Sequence, residues 1–506
     1  MPVPHSTKRI YSNLFPGQVL QGTSAIKLIA FAAVLCVQPE NQAQSTETAH
    51  RPNIVLILAD DLGAHDVGCY RADLHETPNV DELARRGIKF LRAYSPSPVC
   101  TPTRAALLTG KHPARLRMTI WSEGSLRGPT DKPLIEAQSR HDLPHAETTL
   151  AERLQAAGYL TAIVGKWHLG DANHAPETQG FDVNIGGTHW GAPQTHFWPY
   201  RGAGRFGGEY RYVPHLEFGR PDEYLTDRLT DEALRVVDQS AKSKQPFFLL
   251  LAHHAPHTPI EAKSSDVERF QGKLQPGGNH QNPVYAAMVK SLDDSVGRVV
   301  ARLKSQGLED KTLVIFTSDN GGYIGTDARQ KVAVTSNAPL RSGKGTLYEG
   351  GIRVPLIVSS PRMTTAGEEC LEPVVLTDLF ASIARAAGLA AAETDPTDGI
   401  DLTPLLTDPK AKLNREELLF HYPHYYHAPR STPASAIRTR DWKLIEYFED
   451  SRVELFNLTN DPAEQHDLAT SQPEKASALR MRLHAWRNEV NAATPTANPS
   501  FKASHR

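Results

Sequence analysis

Residues 53–61, Asn53-Ile54-Val55-Leu56-Ile57-Leu58-Ala59-Asp60-Asp61, form an apolar run that stops abruptly at two acids. A strand with one wet face would show a polar residue at every second position. This run shows none, so both its faces are covered, as in the central strand of a parallel sheet. Sites in such sheets gather beyond the carboxyl ends of the strands, where Asp60 and Asp61 stand.

Outward from this stretch, short apolar runs recur at residues 160–164, 247–252, 313–317 and 355–359. Helical patterns lie between them. One spans 80–86 and stops at Gly87, another spans 149–157 and stops at Gly158, and a long amphipathic stretch at 285–303 puts Val289, Leu292, Val296 and Val299 on one face. The alternation predicts an α/β fold with a mostly parallel central sheet flanked by helices. Past about residue 405 the pattern changes to short strands at 434–437, 442–447 and 453–457 and a helix at about 474–490. The expected organisation is a leader over 1–45, a catalytic α/β domain over 46–415 and a small C-terminal α+β subdomain over 416–506. Residues 121–147 and 173–221 lack periodicity and are expected to be loops around the site.

Composition narrows the function. The 506 residues carry 55 Lys and Arg against 57 Asp and Glu, a net charge of −2, and are 40% hydrophobic. The chain is therefore globular, without the basic surplus of a nucleic-acid binder. Its cysteines, Cys36, Cys69, Cys100 and Cys370, are too few and too scattered for a disulfide scaffold, and none forms a CxxC pair. Cys69 and Cys370 read as structural thiols, with a bridge between them left open. Basic residues Lys8, Arg9 and Lys27, the apolar run 28–37 and a polar stretch around Ala43 read as a signal peptide. The run is short of the ~20 apolar residues of a stable membrane span, so an exported, periplasmic or extracellular protein is expected. Cys36 follows Leu35, not a small residue, which argues against a lipoprotein attachment site.

Chemistry-bearing residues cluster at the strand ends. The run 313–317 is followed by Asp319 and Asn320. If its strand neighbours that of 53–59, Asp60, Asp61, Asp319 and Asn320 converge as oxygen donors for a hard cation, Ca²⁺ or Mg²⁺. The run 160–164 leads into Lys166 and His168, the run 247–252 into His253, His254 and His257, and Lys344 lies between Gly343 and Gly345. An anion held between a divalent cation and such cationic side chains is set up for transfer of a phosphoryl-like or sulfuryl group. Cys100-Thr101-Pro102-Thr103-Arg104 predicts the start of a short helix ending at Gly110, with Thr101 as cap, Pro102 in the first turn and Cys100 at the positive end.

That pentad, continuing into Leu108-Thr109-Gly110-Lys111, resembles the signature of the type I, formylglycine-dependent sulfatases of the alkaline-phosphatase-like superfamily. Residues 53–61, 165–170, the His257 region, 318–322 and 340–355 resemble further family blocks in the family's order, from about Arg51 into the C-terminal region. Thr103 departs from the Ser or Ala commonest in the family. The resemblance implies that a maturing enzyme converts Cys100 to formylglycine. Its hydrate would offer one hydroxyl to attack sulfur and a second through which sulfate is released. It also implies that Asp60, Asp61, Asp319 and Asn320 bind Ca²⁺ together with the modified Cys100. Arg104 and Lys166 would hold the hydrate, His168 would assist the elimination, and Lys344 and His257 would bind the sulfate, with His257 a candidate acid for the leaving alcohol. The implied substrate is a sulfated carbohydrate or an aryl sulfate. Trp190, Trp198, Tyr200, Arg201, Arg205, Tyr210 and Arg211 fall in one irregular segment and are expected either to meet a sugar or to pack the loop. A phosphodiesterase or phosphonate monoester hydrolase on the same scaffold is the alternative. A catalytically inactive glycan-binding protein is the alternative of another class, and it would lack at least one of these residues; none is missing.

Overall fold

The run at 53–59 forms strand β1 (Asn53–Ala59), buried at every residue. The computed structural model describes residues 51–502 apart from 129–130, 362, 364, 391–396 and 428–429. The expected leader, with Cys36, lies outside the described residues. In chain order β1 is joined by β2 (Ile88–Tyr94), β3 (Leu160–Gly165), β4 (Val183–Ile185), β5 (Phe247–Ala252), β6 (Thr312–Ser318), β7 (Arg353–Ser359) and β8 (Val374–Val375). They lie side by side in the order β8-β2-β7-β6-β1-β5-β3-β4, and the short strand Glu369–Cys370 adds to β2. All neighbours run parallel except β7, which is antiparallel to both β2 and β6. The sheet is therefore mostly parallel, as the apolar runs predict.

Both faces of the sheet are covered. The even-numbered side chains of β1, Ile54, Leu56 and Leu58, pack with helices α2 (Cys100–Thr109), α3 (Leu150–Ala156) and α6 (Asp378–Ala386). The odd-numbered ones, Val55 and Ile57, pack with α1 (Pro78–Arg86), α4 (Leu225–Ser243) and α5 (Pro283–Ser305). The alternation of a strand's side chains thus sends one apolar run into two cores. Helix α5 begins where Asn282 Oδ1 accepts the backbone N–H groups of Val284 and Tyr285, with Pro283 in the first turn. Strand β2 and helices α4 and α6 are elements beyond those the sequence patterns predict. A four-stranded antiparallel sheet, Glu417–Tyr422 with Ala434–Thr439, Trp442–Tyr447 and Val453–Asn457, follows, and helix α7 (Pro473–Glu489) packs on it through Leu479, Leu483 and Trp486.

Register then sets the site. β1 pairs with β6 so that Ala59 faces Ser318, which leaves Asp60 and Asp319 adjacent just past the strand ends. β3 pairs with β5 so that Gly165 faces Ala252, which leaves Lys166 and His253 at the same edge. Gly165 adopts φ +109°, and a Cβ there would lie 1.9 Å from the Ala252 carbonyl oxygen, so only glycine lets the chain turn in at this point.

Candidate active site

Three carboxylates, three cations and one sulfur meet at the carboxyl edge of the sheet. Lys166 Nζ stands 2.6 Å from Asp60 Oδ2, Lys344 Nζ stands 2.6 Å from Asp61 Oδ1, and Arg104 Nε donates to Asp319 Oδ2 at 2.8 Å. All six side chains are buried. Cys100 Sγ lies between them, 3.4 Å from Asp60 Oδ1 and 3.5 Å from Lys344 Nζ. Asn320 Nδ2 donates to Asp61 Oδ1 at 2.8 Å, and the Asp61 backbone N–H donates to Asp319 Oδ1 at 3.3 Å. His257 Nε2 is 3.5 Å from Asp61 Oδ2. The ten residues singled out from the sequence are thus brought to one place, with His168 joined to it through the cleft wall described below.

Local structure explains each placement. Cys100 opens α2, whose residues are buried throughout and which ends at Gly110 with φ +71°. Thr101 does not cap the helix, contrary to the sequence expectation. Val99 holds the cap position, and the Thr101 hydroxyl instead donates to the His168 carbonyl at 2.8 Å while accepting from Ser122 N–H. These two backbone groups from neighbouring segments engage the hydroxyl as donor and as acceptor in place of a cap. The Thr103 hydroxyl donates to the Ser97 carbonyl at 3.2 Å, so the departure from Ser or Ala is accommodated inside the fold. Lys344 is aimed by its glycines. Gly345 adopts φ +85°, and a Cβ on it would sit 2.1 Å from the Tyr426 ring. Of the three histidines after β5, His253 turns away to Ser295 on α5 and His254 is buried with neither ring nitrogen partnered. Only His257 lines the cleft.

Electrostatics follow from burial and pairing. Burial would raise the Asp61 carboxyl, but Lys344 and His257 beside it hold it down to about 2. Burial lowers His257 to about 3 and His168 to about 4 against the pull of Asp61 and Glu123, so both imidazoles are neutral near pH 7. Burial and the nearby Asp319 push the Cys100 thiol far up, so as a cysteine it stays protonated. Burial and the neighbouring Asp60 raise Asp319 against the pull of Arg104 and Lys166.

The donor set fits a hard divalent cation. Asp60, Asp61 and Asp319 supply carboxylate oxygens, and Asn320 Oδ1 is buried with no hydrogen-bond partner, an acceptor left for something else. Ligand atoms of Asp60, Asp61, Cys100 and His257 lie within 4.8 Å of one another.

Above these groups opens a cleft of about 350 Å³ whose lining includes Trp121, Glu123, Arg127, Phe206, Arg211, Tyr323, Tyr426 and His427. Its aromatic wall comes from Trp121, Phe206, Tyr323 and Tyr426. Of the seven aromatic and arginine residues expected either to meet a sugar or to pack the loop, only Arg211 lines the cleft among the described residues. Tyr200 is fully buried on Glu223, Trp190 bonds Glu209 and packs on Tyr212, and Arg205 pairs with Glu261, so they hold the loop together. Glu123 is a site residue absent from the sequence expectations. Its Oε2 bonds His168 Nε2 at 2.7 Å and its Oε1 accepts from Gly191 N–H at 3.0 Å. It sits in an irregular segment 45 residues from its partner, and nothing local marks it.

The family profile described as "Sulfatase" matches residues 52–389, and that described as "N-sulphoglucosamine sulphohydrolase, C-terminal" matches residues 343–491. The chain is 30% identical to a "Sulfatase" of Formosa agariphila over 92% of this chain and 94% of that one. It is 32% identical to human "Steryl-sulfatase" over 79% of this chain and 77% of that one. The crystal structure described as "Ps i-CgsB in complex with k-i-k-neocarrahexaose" superposes with a TM-score of 0.70 at 30% identity, covering 90% of this chain and 95% of that one. Among the described residues no helix is long and apolar enough to cross a membrane.

Proposed function

The chain belongs to the sulfatase family, and on that premise we propose that it is an exported hydrolase of sulfate esters of carbohydrates, working through a formylglycine made from Cys100 and a bound divalent cation, Ca²⁺ or Mg²⁺. The observation that carries this reading is the position of Cys100 Sγ, 3.4 Å from Asp60 and 3.5 Å from Lys344 at the N-terminus of α2. A thiol held protonated among carboxylates is a poor nucleophile. The same position would suit a neutral aldehyde, with Asp60 and Lys344 placed to hold its hydrate. When present, the cation and the formylglycine hydrate supply charge neutralisation and the attacking oxygen.

The chain's own residues do the rest. Asp60, Asp61, Asp319 and Asn320 would hold the cation. Arg104 is locked to Asp319 and, through Nη1, to the Lys166 carbonyl at 2.9 Å, so it braces the donor set. Lys166 and Lys344 keep their ammonium charge because Asp60 and Asp61 overcome the effect of burial. They draw charge from sulfate oxygens as the S–O bond breaks. His257, neutral and lining the cleft, is placed to hydrogen-bond the leaving oxygen, and His168 is oriented by Glu123 to take a proton. Charge supports the assignment. Three carboxylates balance three cations, so a divalent cation leaves two positive charges, which a monoester anion and one deprotonated hydroxyl neutralise. The sugar preference rests on the aromatic and arginine cleft walls, and export rests on the apolar leader of the sequence.

The test is the mass of the Cys100 peptide from protein matured in its native setting, alongside turnover of aryl sulfate and aryl phosphate. Formylglycine with sulfate turnover is expected. An unmodified thiol in active protein sinks the mechanism, and faster phosphate turnover selects the phosphodiesterase alternative.

A further inference from the structure

The cleft carries two arginines, and they differ in one respect. Arg211 is buried, its Nε donates to Glu209 Oε2 at 2.9 Å, its Nη2 lies 3.5 Å from Glu123 Oε1, and it stacks on Phe206. Its charge is already met. Arg127 is exposed, and among the described residues its guanidinium forms no ion pair and no side-chain hydrogen bond. It lies over the Trp121 ring, 4.4 Å from the ring centre, and Trp121 lines the same cleft as Cys100. Glu136 feels its charge, but Glu136 Oε1 accepts from Tyr425 N–H at 2.6 Å, and burial raises that carboxyl despite Arg127.

Arg127 is also held in place. Its backbone N–H donates to the Gly124 carbonyl at 3.1 Å, which ties it to the end of the turn Ser122–Ser125 that carries Glu123 against His168. Stacking on an indole face pre-orders a guanidinium while leaving its edge N–H groups free for a planar or tetrahedral oxyanion. The lysine and histidine groups below account for one sulfate. An unneutralised guanidinium on the wall has no role toward a substrate bearing a single charge.

We propose that Arg127, seated on Trp121, recognises a second anionic group of the substrate, a sulfate or carboxylate on the same sugar or its neighbour. The enzyme then acts on polyanionic glycans in preference to monoanionic sulfate esters. The proposal rests on the sulfatase reading above, and its test keeps the two apart. The Cys100→Ala protein cannot be matured and consumes neither probe, so calorimetry with added Ca²⁺ at fixed ionic strength can compare N-acetylgalactosamine 6-sulfate with the 4,6-disulfate. Arg127→Gln is expected to weaken the disulfate by about tenfold or more and the monosulfate by no more than about twofold, with Arg127→Lys in between. Equal losses for both sugars, no loss for either, or no binding of either to the Arg127 protein overturns the proposal. Failure of the matured full-length protein to cleave aryl sulfate would overturn the hydrolase reading, while the binding difference would still report on Arg127.

Discussion

Lys166→Met removes an ammonium whose Nζ stands 2.6 Å from Asp60 Oδ2, with both side chains at 0% exposure. The substitution keeps length and apolar bulk, so the loss is electrostatic. It leaves the Asp60 carboxylate in the company of Asp61 and Asp319, with the Cys100 thiol at 3.4 Å among its remaining partners. Breaking one side of a buried pair costs about 3–5 kcal/mol, because the remaining charge is stranded away from water. Unfolding entropy of about 2.1 cal/mol/K per residue, over roughly 450 ordered residues, is on the order of 1 kcal/mol/K, so Tm in chelator should fall by about 3–5 °C. The site's charge moves from balance to one net negative, so a divalent cation should bind it more tightly and restore part of the loss. The assay is calorimetric unfolding of both proteins in EDTA and in millimolar Ca²⁺, with Asp60→Asn/Lys166→Met as the control. The double substitution removes the stranded charge and should be less destabilised than the single one in EDTA. A Tm loss identical with and without Ca²⁺, or a double variant whose losses add, would refute the charge-balance reasoning.

Three further outcomes follow from the same geometry. Lys344→Ala should lower kcat/KM on an aryl sulfate by about 10²–10³, the usual loss for one charge-stabilising donor, and Asp319→Ala should lower it more, since on the proposed reading that carboxylate would hold the cation, and it anchors Arg104; comparable losses would count against the ranking. Glu123→Gln should lower kcat by about 10–100-fold by releasing His168, and should add little to His168→Asn; fully additive losses would show that Glu123 acts independently. His280 sits between Asp66 and Asp73. Burial lowers its pKa, but the two acids raise it overall to about 9, while burial drops the adjacent His75 to about 4 and leaves it neutral in this range. A folded-state pKa above the unfolded value near 6.5 gives stability present below about pH 6.5 and lost as pH rises to about 9, worth at most about 3 kcal/mol. Denaturant midpoints at pH 6 and pH 9 should therefore lie closer together in His280→Asn than in the unsubstituted protein; an unchanged separation would place the pH dependence elsewhere.

The central sheet was legible where strands are buried on both faces, because β1, β3, β5 and β6 each read as unbroken apolar runs. Strand β2 escaped notice because Lys89 and Arg92 interrupt it, as a strand near the sheet's edge allows. Helix α4 did carry a signal, Leu225, Leu229, Ala233 and Val236 at helical spacing, but polar residues surround it and an irregular segment precedes it. The acids and bases of the site were legible because a parallel sheet delivers the ends of its strands to one edge. Glu123 and Arg127 were not, since they reach the site on a short turn whose place depends on hydrogen bonds to His168 from far along the chain. The choice left open for Trp190 and Tyr200, between meeting a sugar and packing the loop, has the same origin. Composition shows that a segment is rich in aromatics, but not which way each ring faces.

Every residue of α2 from Cys100 to Thr109 is buried, and the hydroxyls of Thr101, Thr103 and Thr109 are all spent on backbone carbonyls. If Cys100 is converted to formylglycine as proposed, an enzyme that had to grip this segment would find no handle on the finished molecule. On the formylglycine reading, maturation would then be a race, with the chain open to it only between synthesis and closure of the core over α2. Anything that speeds folding shortens that interval. Stabilising substitutions in this helix are then expected to yield a sturdier protein with a smaller matured fraction, so that yield and activity per molecule move in opposite directions.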